Sequence, residues 1–352
     1  MSKLFEPLQL GELRLANRIV MAPMTRNRAG ADGVPGELMV AHYGQRGDAG
    51  LIVAEGSWPS AVGQSYCRQP GIATPAQIAG WKRVTDAVHA RGGLIVLQIM
   101  HGGRIGSHHI KPEGVESVAP SALQAAGEIV TDSAGMQLYD MPRVLEIAEI
   151  RAIVQEHAQA ARNAREAGFD GVELHGTSGY LPMQFLSSGT NLRTDEYGGP
   201  AENRARFAFE CLREMAAAIG SGRVGLRLNP GNTYNDTSDE DSAATHAELI
   251  RQAATLELAY LHVMRAPMPE IDAFALAQAN FGERLILNDG FGPDNADQTL
   301  QAYGGAALSF ARHFIGNPDL VQRLRQGQPL ARFDRKTLYT PGAAGYTDYP
   351  AA

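Results

Sequence analysis

The sequence predicts an α/β fold: a single (β/α)8 (TIM) barrel over residues 1–352, with an N-terminal hairpin and an insertion after the third strand. Three observations carry that prediction. Eight short apolar runs alternate with segments of helical pattern, the signature of repeated βα units. The runs are continuously hydrophobic, as parallel strands covered on both faces require. No linker, repeat, low-complexity run or shift of composition divides the chain, and 352 residues suit one large barrel.

The elements follow in order. Residues 4–20 hold two short alternating runs around Leu10-Gly11-Glu12, which reads as a hairpin placed to plug the bottom of the barrel. NRIVMAP, ending at Pro23, is the first strand. A polar loop leads to a helix from Pro35 to about Arg46, and GLIVAE (50–55) is the second strand. Thr74-Pro75 offers an N-cap and a proline at the first helical position for a helix to about Ala90, which Gly92-Gly93 ends. LIVLQIMH (94–101) is the third strand. The polar insertion 102–143 contains a second hairpin turning near Ser133–Gly135, a candidate lid or substrate wall. A helix over 147–167 stops at Gly168, and GVELH (171–175) is the fourth strand. Helices over 203–219, 239–256, 271–280 and 293–303 then alternate with VGLRLNP, YLHVM, RLILND and AALSFA. A short helix and a polar loop follow Pro318.

The bulk numbers exclude several classes of function. A net charge of -7 gives no basic footprint for nucleic acid or an anionic membrane. Cys67 and Cys211 are too few for a disulfide framework, which points to a reducing compartment. MSKLFEPLQLGEL lacks the apolar core of a signal peptide, and no run of about 18 apolar residues suggests a membrane span. The expectation is a cytoplasmic protein, monomer or homodimer.

In a parallel barrel the chemistry sits at the C-terminal ends of the strands. Those ends carry Met24 and Thr25, Glu55 and Gly56, Gln98 and His101, then His175, Ser178 and Tyr180. Later strands add Arg227 and Asn229, then Asn288, Asp289 and Gly290, and finally Ala311 and Arg312. The loops after the seventh and eighth strands are where barrels most often hold a phosphate. Here Gly290-Phe291-Gly292 lets backbone N–H groups approach an anion, and Arg312 supplies a planar fork. Gln98 and Arg227 suit the polar edge of a planar, phosphorylated cofactor, because an amide both donates and accepts and an arginine stabilises charge building on a pyrimidine-like edge. A reduced flavin carries such charge. No His, Asp or Glu trio stands at metal-ligand spacing; His108-His109 lies in the insertion and is not read as a site. The glycine fingerprint of a dinucleotide-binding βαβ unit is absent.

NRIVMAPMTRNRA, GLIVAEG, LQIMHGGR, GFDGVELHGTSGYLPMQFLS, NLRTDEYGG, ENRARF, GLRLNP, FIGNPDL and GYTDYP occur in order from Leu4 to Pro350. With them the chain resembles the old yellow enzyme family, FMN-bearing barrels that use NADH or NADPH to reduce activated alkenes. The resemblance implies that Thr25 hydrogen-bonds the flavin C4 carbonyl. Pro23, Met24 and Gly56 would frame the ring, Gln98 would meet its pyrimidine edge, and Arg227 would stabilise charge at N1. Gly290, Ala311 and Arg312 would hold the phosphate. Threonine in APMT, where another branch has cysteine, places the chain nearer the threonine-bearing branch, in which Tyr66 and Tyr346 would line the substrate cavity. His175 would bind the carbonyl or nitro oxygen of a small-molecule substrate. Tyr180 would protonate the α-carbon, with hydride from flavin N5 going to the β-carbon.

The departure is Ser178, where the family has His or Asn and so a second donor beside His175. Serine is shorter and offers one rotatable donor. Ala311 replaces a family glycine. Rival readings stay open at this point: a nitrate-ester or nitroaromatic reductase on the same flavin, a flavin-binding redox protein with little turnover, or a flavin-free phosphate-binding lyase. Glu173 reads as structural, Cys211 as helix core, and Cys67 as part of a loop bordering the site.

Overall fold

The computed structural model describes residues 2–351. β1 (Leu8–Leu10) and β2 (Leu13–Leu15) pair antiparallel as the expected hairpin. Its turn needs a glycine: Gly11 has φ +56°, and a Cβ there would lie 2.6 Å from the Gly222 carbonyl oxygen. Leu10, Leu13 and Leu15 pack against Val20, Leu51, Val96, Tyr260 and Ile286, closing the bottom of the barrel with an apolar plug.

The first three barrel strands are β3 (Ile19–Met21), β4 (Leu51–Ser57) and β5 (Ile95–Ile99), separated by α1 (Glu37–Gly44) and α2 (Pro75–His89). Thr74 and Gln77 cap α2 reciprocally: the Thr74 hydroxyl accepts from Gln77 N at 3.3 Å, and the Gln77 side chain accepts from Thr74 N at 3.1 Å. The insertion follows. β6 (Val118–Ala119) pairs with β9 (Arg143–Val144), and between them β7 (Glu128–Thr131) and β8 (Gly135–Leu138) form the predicted second hairpin.

After α3 (Ile147–Glu166) come β10 (Gly171–His175), β11 (Val224–Leu228), β12 (Tyr260–Met264), β13 (Leu285–Asn288) and β14 (Ala307–Phe310). All eight barrel strands run parallel in sequential order, and β14 pairs with β3 to close the ring. The intervening helices are α4 (Leu181–Leu186), α5 (Ala201–Ile219), α6 (Ser242–Ala254), α7 (Ala273–Phe281) and α8 (Ala296–Ala302); α9 (Arg312–Gly316) and α10 (Leu320–Gln326) follow the last strand.

Alternation along each strand sorts its side chains into two sets. Val172, Leu174, Leu226, Leu228, Leu261 and Val263 join the large cluster under the helices. The other set fills the barrel in layers: apolar residues next to the plug, then Gln98, Glu173 and His262, then His175, Arg227, Asn288 and Ser309 towards the mouth. Gly225 belongs to the inner set because a Cβ there would fall 2.3 Å from the Tyr260 ring.

Two features depart from the sequence expectation. α4 and α9 are short helices of six and five residues that begin directly at the barrel mouth, too brief for a periodicity signal. The tail is not a solvated loop: Leu330, Arg332, Phe333 and Arg335 return to line the mouth.

Candidate active site

His175 is the last residue of β10 and ends on the interior side of the barrel. The chain then reverses through two left-handed residues, Ser178 (φ +59°) and Gly179 (φ +76°). At Gly179 a Cβ would meet the Tyr234 carbonyl oxygen at 2.5 Å, so glycine is required by both conformation and space. Asn235 Nδ2 donates to the Ser178 carbonyl at 2.8 Å and pins the reversal. The turn delivers Tyr180 to the start of α4, where its ring meets the His175 ring edge-on at 4.8 Å.

Two cavities flank this contact. The larger, about 990 Å³, is lined by His175, Ser178, Pro23, Arg227, Asn288, Gly290, Ala311, Arg312 and the returning tail. The smaller, about 320 Å³, is lined by Thr25, Asn27, Tyr66, Tyr180, Tyr139, Tyr234, Tyr339 and one face of the insertion hairpin. The insertion is therefore a wall of the site.

The larger cavity sits on a buried polar network. Glu173 accepts from Gln98 Nε2 at 2.8 Å and lies 2.8 Å from His262 Nδ1. Burial alone would raise the Glu173 carboxyl, but His262, Arg227 and Gln98 together hold it below its ordinary value, so it is a carboxylate. A carboxylate only accepts, which makes His262 Nδ1 the donor and leaves its Nε2 to accept. Nε2 lies 2.8 Å from Ser309 Oγ, and Arg227 Nη1 packs against the same ring. Arg227 Nη2 donates to Asn288 Oδ1 at 2.8 Å. Arg227 and Glu173 thus compensate each other's charge across His262. Glu173 is structural, as expected, and it faces the barrel interior.

His175 itself is neutral. Burial, then the positive charge of Arg227, pushes it down to about 3. Its Nδ1 is buried without a hydrogen-bond partner. Tyr180, also buried, is pushed above the usual phenol range, and its hydroxyl lies 2.8 Å from that of Tyr66.

Of the residues expected to bind a cofactor, Pro23, Arg227, Gly290, Ala311 and Arg312 line the larger cavity. Thr25 lines the smaller one. Gly56 sits in the wall at a register shift between β4 and β5, where a Cβ would fall 2.5 Å from Met100 Sδ. Gln98 lies one layer down, bonded to Glu173, and Met24 packs on the helix-side core. Glu55 positions the loop that bears Thr25: its carboxyl accepts from Arg26 N and the Tyr43 hydroxyl, each at 3.1 Å, and burial raises it to about 7.

One expectation is corrected. Tyr346 does not line the substrate cavity. It is fully buried, stacked on His42 at 3.9 Å with the Arg26 and Arg28 guanidinium groups over its ring. Tyr339, from the same tail, reaches the cavity instead. The reason is the anchoring of the tail: Arg28 donates to the carbonyls of Leu338 (2.6 Å), Thr337 (2.7 Å) and Ala344 (3.1 Å), and Arg26 to Leu338 and Gly345. With 345–346 held inward, 339 projects over the mouth. Sequence reading also missed Tyr139, Tyr234, Arg332 and Arg335, which lie in loops without a periodic signal. Glu128 and Tyr139 flank the predicted hairpin and were the nearest to being found.

The donor set suits a flat, phosphorylated ring system. One end of the larger cavity is ringed by Arg312, Arg332 and Arg335 beside Gly290 (φ +79°), the floor presents Arg227, and His175 offers an unpartnered polar atom beside the wall. Among the described residues no group of three or more His, Cys, Asp or Glu could hold a metal.

Residues 3–331 match the model of the NADH:flavin oxidoreductase / NADH oxidase family. The chain is 41% identical to a probable flavin mononucleotide-dependent alkene reductase of Leishmania infantum, over 99% of this chain and 97% of that protein. It is 36% identical to 12-oxophytodienoate reductase 7 of Oryza sativa subsp. japonica, over 99% and 94%. Morphinone reductase, solved in complex with tetrahydroNAD, superposes with a TM-score of 0.95 at 43% identity, covering 99% of this chain and 97% of that one.

Proposed function

The chain belongs to the NADH:flavin oxidoreductase / NADH oxidase family, the old yellow enzymes, and from that premise we infer an FMN-dependent NAD(P)H oxidoreductase that reduces the activated C=C bond of α,β-unsaturated carbonyl or nitro compounds. The observation that carries the residue assignments is the contact of a neutral histidine and a buried tyrosine between a phosphate-suited cavity and a tyrosine-walled one.

Bound FMN would supply the hydride that NAD(P)H provides. The phosphate would be held by Gly290, Ala311 and Arg312, with Arg332 and Arg335 adding charge at the same end. Arg227 would face the pyrimidine edge, with Gln98 beneath it and Thr25, Pro23, Met24 and Gly56 framing the ring. Because Glu173 offsets its charge, Arg227 can remain cationic in a buried site and stabilise negative charge developing above it.

His175 binds the substrate oxygen as a neutral N–H donor. With its protonated form suppressed to about 3 by burial and Arg227, the ring is neutral and its remaining N–H is too weak an acid to be surrendered; it polarises the oxygen and leaves the protonation of carbon to a second group. Tyr180 is that group. Its phenol stays protonated through the physiological range and stands against the His175 ring, so the anchored oxygen and the carbon that needs a proton face neighbouring donors. Ser178 gives this clamp at most one short donor. Tyr66, Tyr139, Tyr234 and Tyr339 give the substrate a largely aromatic wall.

We further propose that residues 1–352 act as one domain, as monomer or homodimer in the cytoplasm; among the described residues no helix is long and apolar enough to cross a membrane. The test is spectroscopic. Purified protein should be yellow or become so with FMN, NADPH should bleach it anaerobically, and cyclohexenone should restore the colour. A protein that FMN cannot convert to a holo form, or a reduced form that no enone or nitroalkene reoxidises faster than buffer, would overturn the proposal.

A further inference from the structure

We propose that Tyr66 is the positioning residue of the proton donor: its hydroxyl holds the Tyr180 oxygen, frees Tyr180's own hydrogen to point at substrate, and passes its own proton to that oxygen in the same step, to be recharged from solvent. This rests on the reading of Tyr180 as the donor.

The two hydroxyls are 2.8 Å apart, and among the described residues each is the other's sole hydrogen-bond partner. Either can donate in that pair, so the arrangement admits a proton passing in one direction along it. The rings meet edge-on at 88° with their centroids 6.4 Å apart. Exposure is graded along the pair. Tyr180 is 6% exposed, whereas Tyr66 is half-buried on the wall of the smaller cavity. Both line the smaller cavity, and Tyr66, the more exposed of the two, is the member of the pair better placed to take a proton from water.

The groups facing the pair are His175, which is neutral, and the phenols Tyr139, Tyr234 and Tyr339; Glu128 stands at the cavity rim. Arg68 and Asp132 pair with each other behind the Tyr66 loop. Tyr66 is also held too firmly for a casual contact. Gln69 Oε1 accepts from Tyr66 N at 3.2 Å and Ser65 N at 2.9 Å, while its Nε2 donates to the Gly56 carbonyl at 2.8 Å, tying the loop to β4. Cys67 Sγ accepts from Asp132 N at 3.2 Å and ties it to the insertion hairpin.

The step balances without any further reactant. The enolate-like carbon of the substrate uses its electron pair to form a C–H bond as the Tyr180 O–H bond breaks, and in the same transition state the Tyr66 O–H proton passes to the Tyr180 oxygen, leaving the phenolate at Tyr66. Water in the cavity then reprotonates Tyr66, so one solvent proton is consumed per turnover. Burial raises both phenols, and the bond from Tyr66 is the interaction that opposes this at Tyr180.

The experiment is anaerobic stopped flow on the FMN-loaded Tyr66→Phe variant, which keeps the ring and removes the hydroxyl. Reduction by NADPH takes no proton from Tyr180 and serves as the reference. Reoxidation by cyclohexenone should fall about tenfold to a hundredfold relative to it, the scale of one hydrogen bond to a charged group. In H2O/D2O mixtures the rate should depend on deuterium fraction along a curve for the parent, two protons moving, and a straight line for the variant. The basic limb of the pH profile should move upward. Tyr66→His, which retains a donor, should recover curvature even where Tyr66→Phe folds poorly. Equal slowing of both half-reactions with an unchanged curve would overturn the relay, as would an unaltered reoxidation rate. Tyr180→Phe separates the two readings: full alkene reduction in that variant sinks the donor assignment itself, whereas a slow Tyr180→Phe beside a normal Tyr66→Phe sinks only the relay.

Discussion

Glu173→Gln isolates the charge at the centre of the barrel. Glutamine is nearly isosteric, and its carbonyl can still accept from Gln98 Nε2. Its amide can donate to His262 Nδ1 if that ring exchanges tautomers and passes its other hydrogen to Ser309 Oγ, 2.8 Å from Nε2. The hydrogen-bond count therefore survives and the negative charge does not. Arg227, 5% exposed, then keeps neutral partners, His262 and Asn288. Leaving a buried charge without its counter-charge costs about 3–5 kcal/mol. In a protein of this size that corresponds to a fall in Tm of about 4–7 °C. The assay is thermal unfolding with and without FMN, repeated on Glu173→Gln/Arg227→Met. Removing the arginine as well should recover part of the loss, so the double variant melts above the single one. A single variant within about 2 °C of the parent, or strictly additive losses, would refute the view that Glu173 is there to balance Arg227.

Three further outcomes are expected. Ser178→Asn places a residue that tolerates left-handed backbone at φ +59° and restores a second donor beside His175. It should speed cyclohexenone reoxidation about tenfold and raise Tm slightly, and slower reoxidation would count against the weakened clamp. Arg28→Ala removes donors to the carbonyls of Thr337, Leu338 and Ala344 and should cost about 3 kcal/mol. It should free the tail for tryptic cleavage at Lys336 and raise the substrate KM through Tyr339, and unchanged cleavage kinetics would exclude the tail clamp. Stability should also fall in mild acid. His157, depressed to about 4 by burial, binds fewer protons folded than unfolded below pH 6.5, so its contribution is complete above that pH and lost as the pH drops, by about 2 kcal/mol at pH 5. His175, at about 3, adds to the loss. Glu55, raised to about 7, acts oppositely and destabilises as pH rises from 4.5 to 7, so Tm should peak near neutrality. A Tm at pH 5 equal to that at pH 6.5 would contradict the histidine assignment.

The sequence by itself determined the barrel and the residues at its mouth. Continuous apolar runs such as GVELH and LIVLQIMH admit only strands buried on both faces, and alternation within them forces Glu173, His175 and Arg227 to one side together. Those are local constraints, so a local pattern reveals them. The hairpins were legible for the same reason, from turn residues between alternating runs. What only the tertiary structure decided is which loops meet. Tyr66, Tyr139, Tyr234 and Tyr339 come from four separate connections, and no spacing in the chain brings them into one cavity. Tyr339 rather than Tyr346 faces substrate because Arg28 captures a carbonyl 310 residues away and Tyr346 is drawn under the guanidinium groups. The identity of Glu173's partners, and Tyr66 as the neighbour of Tyr180, likewise rest on contacts between distant segments. Such contacts form because a buried charge or hydroxyl must find a counterpart wherever the closed barrel has brought one within reach.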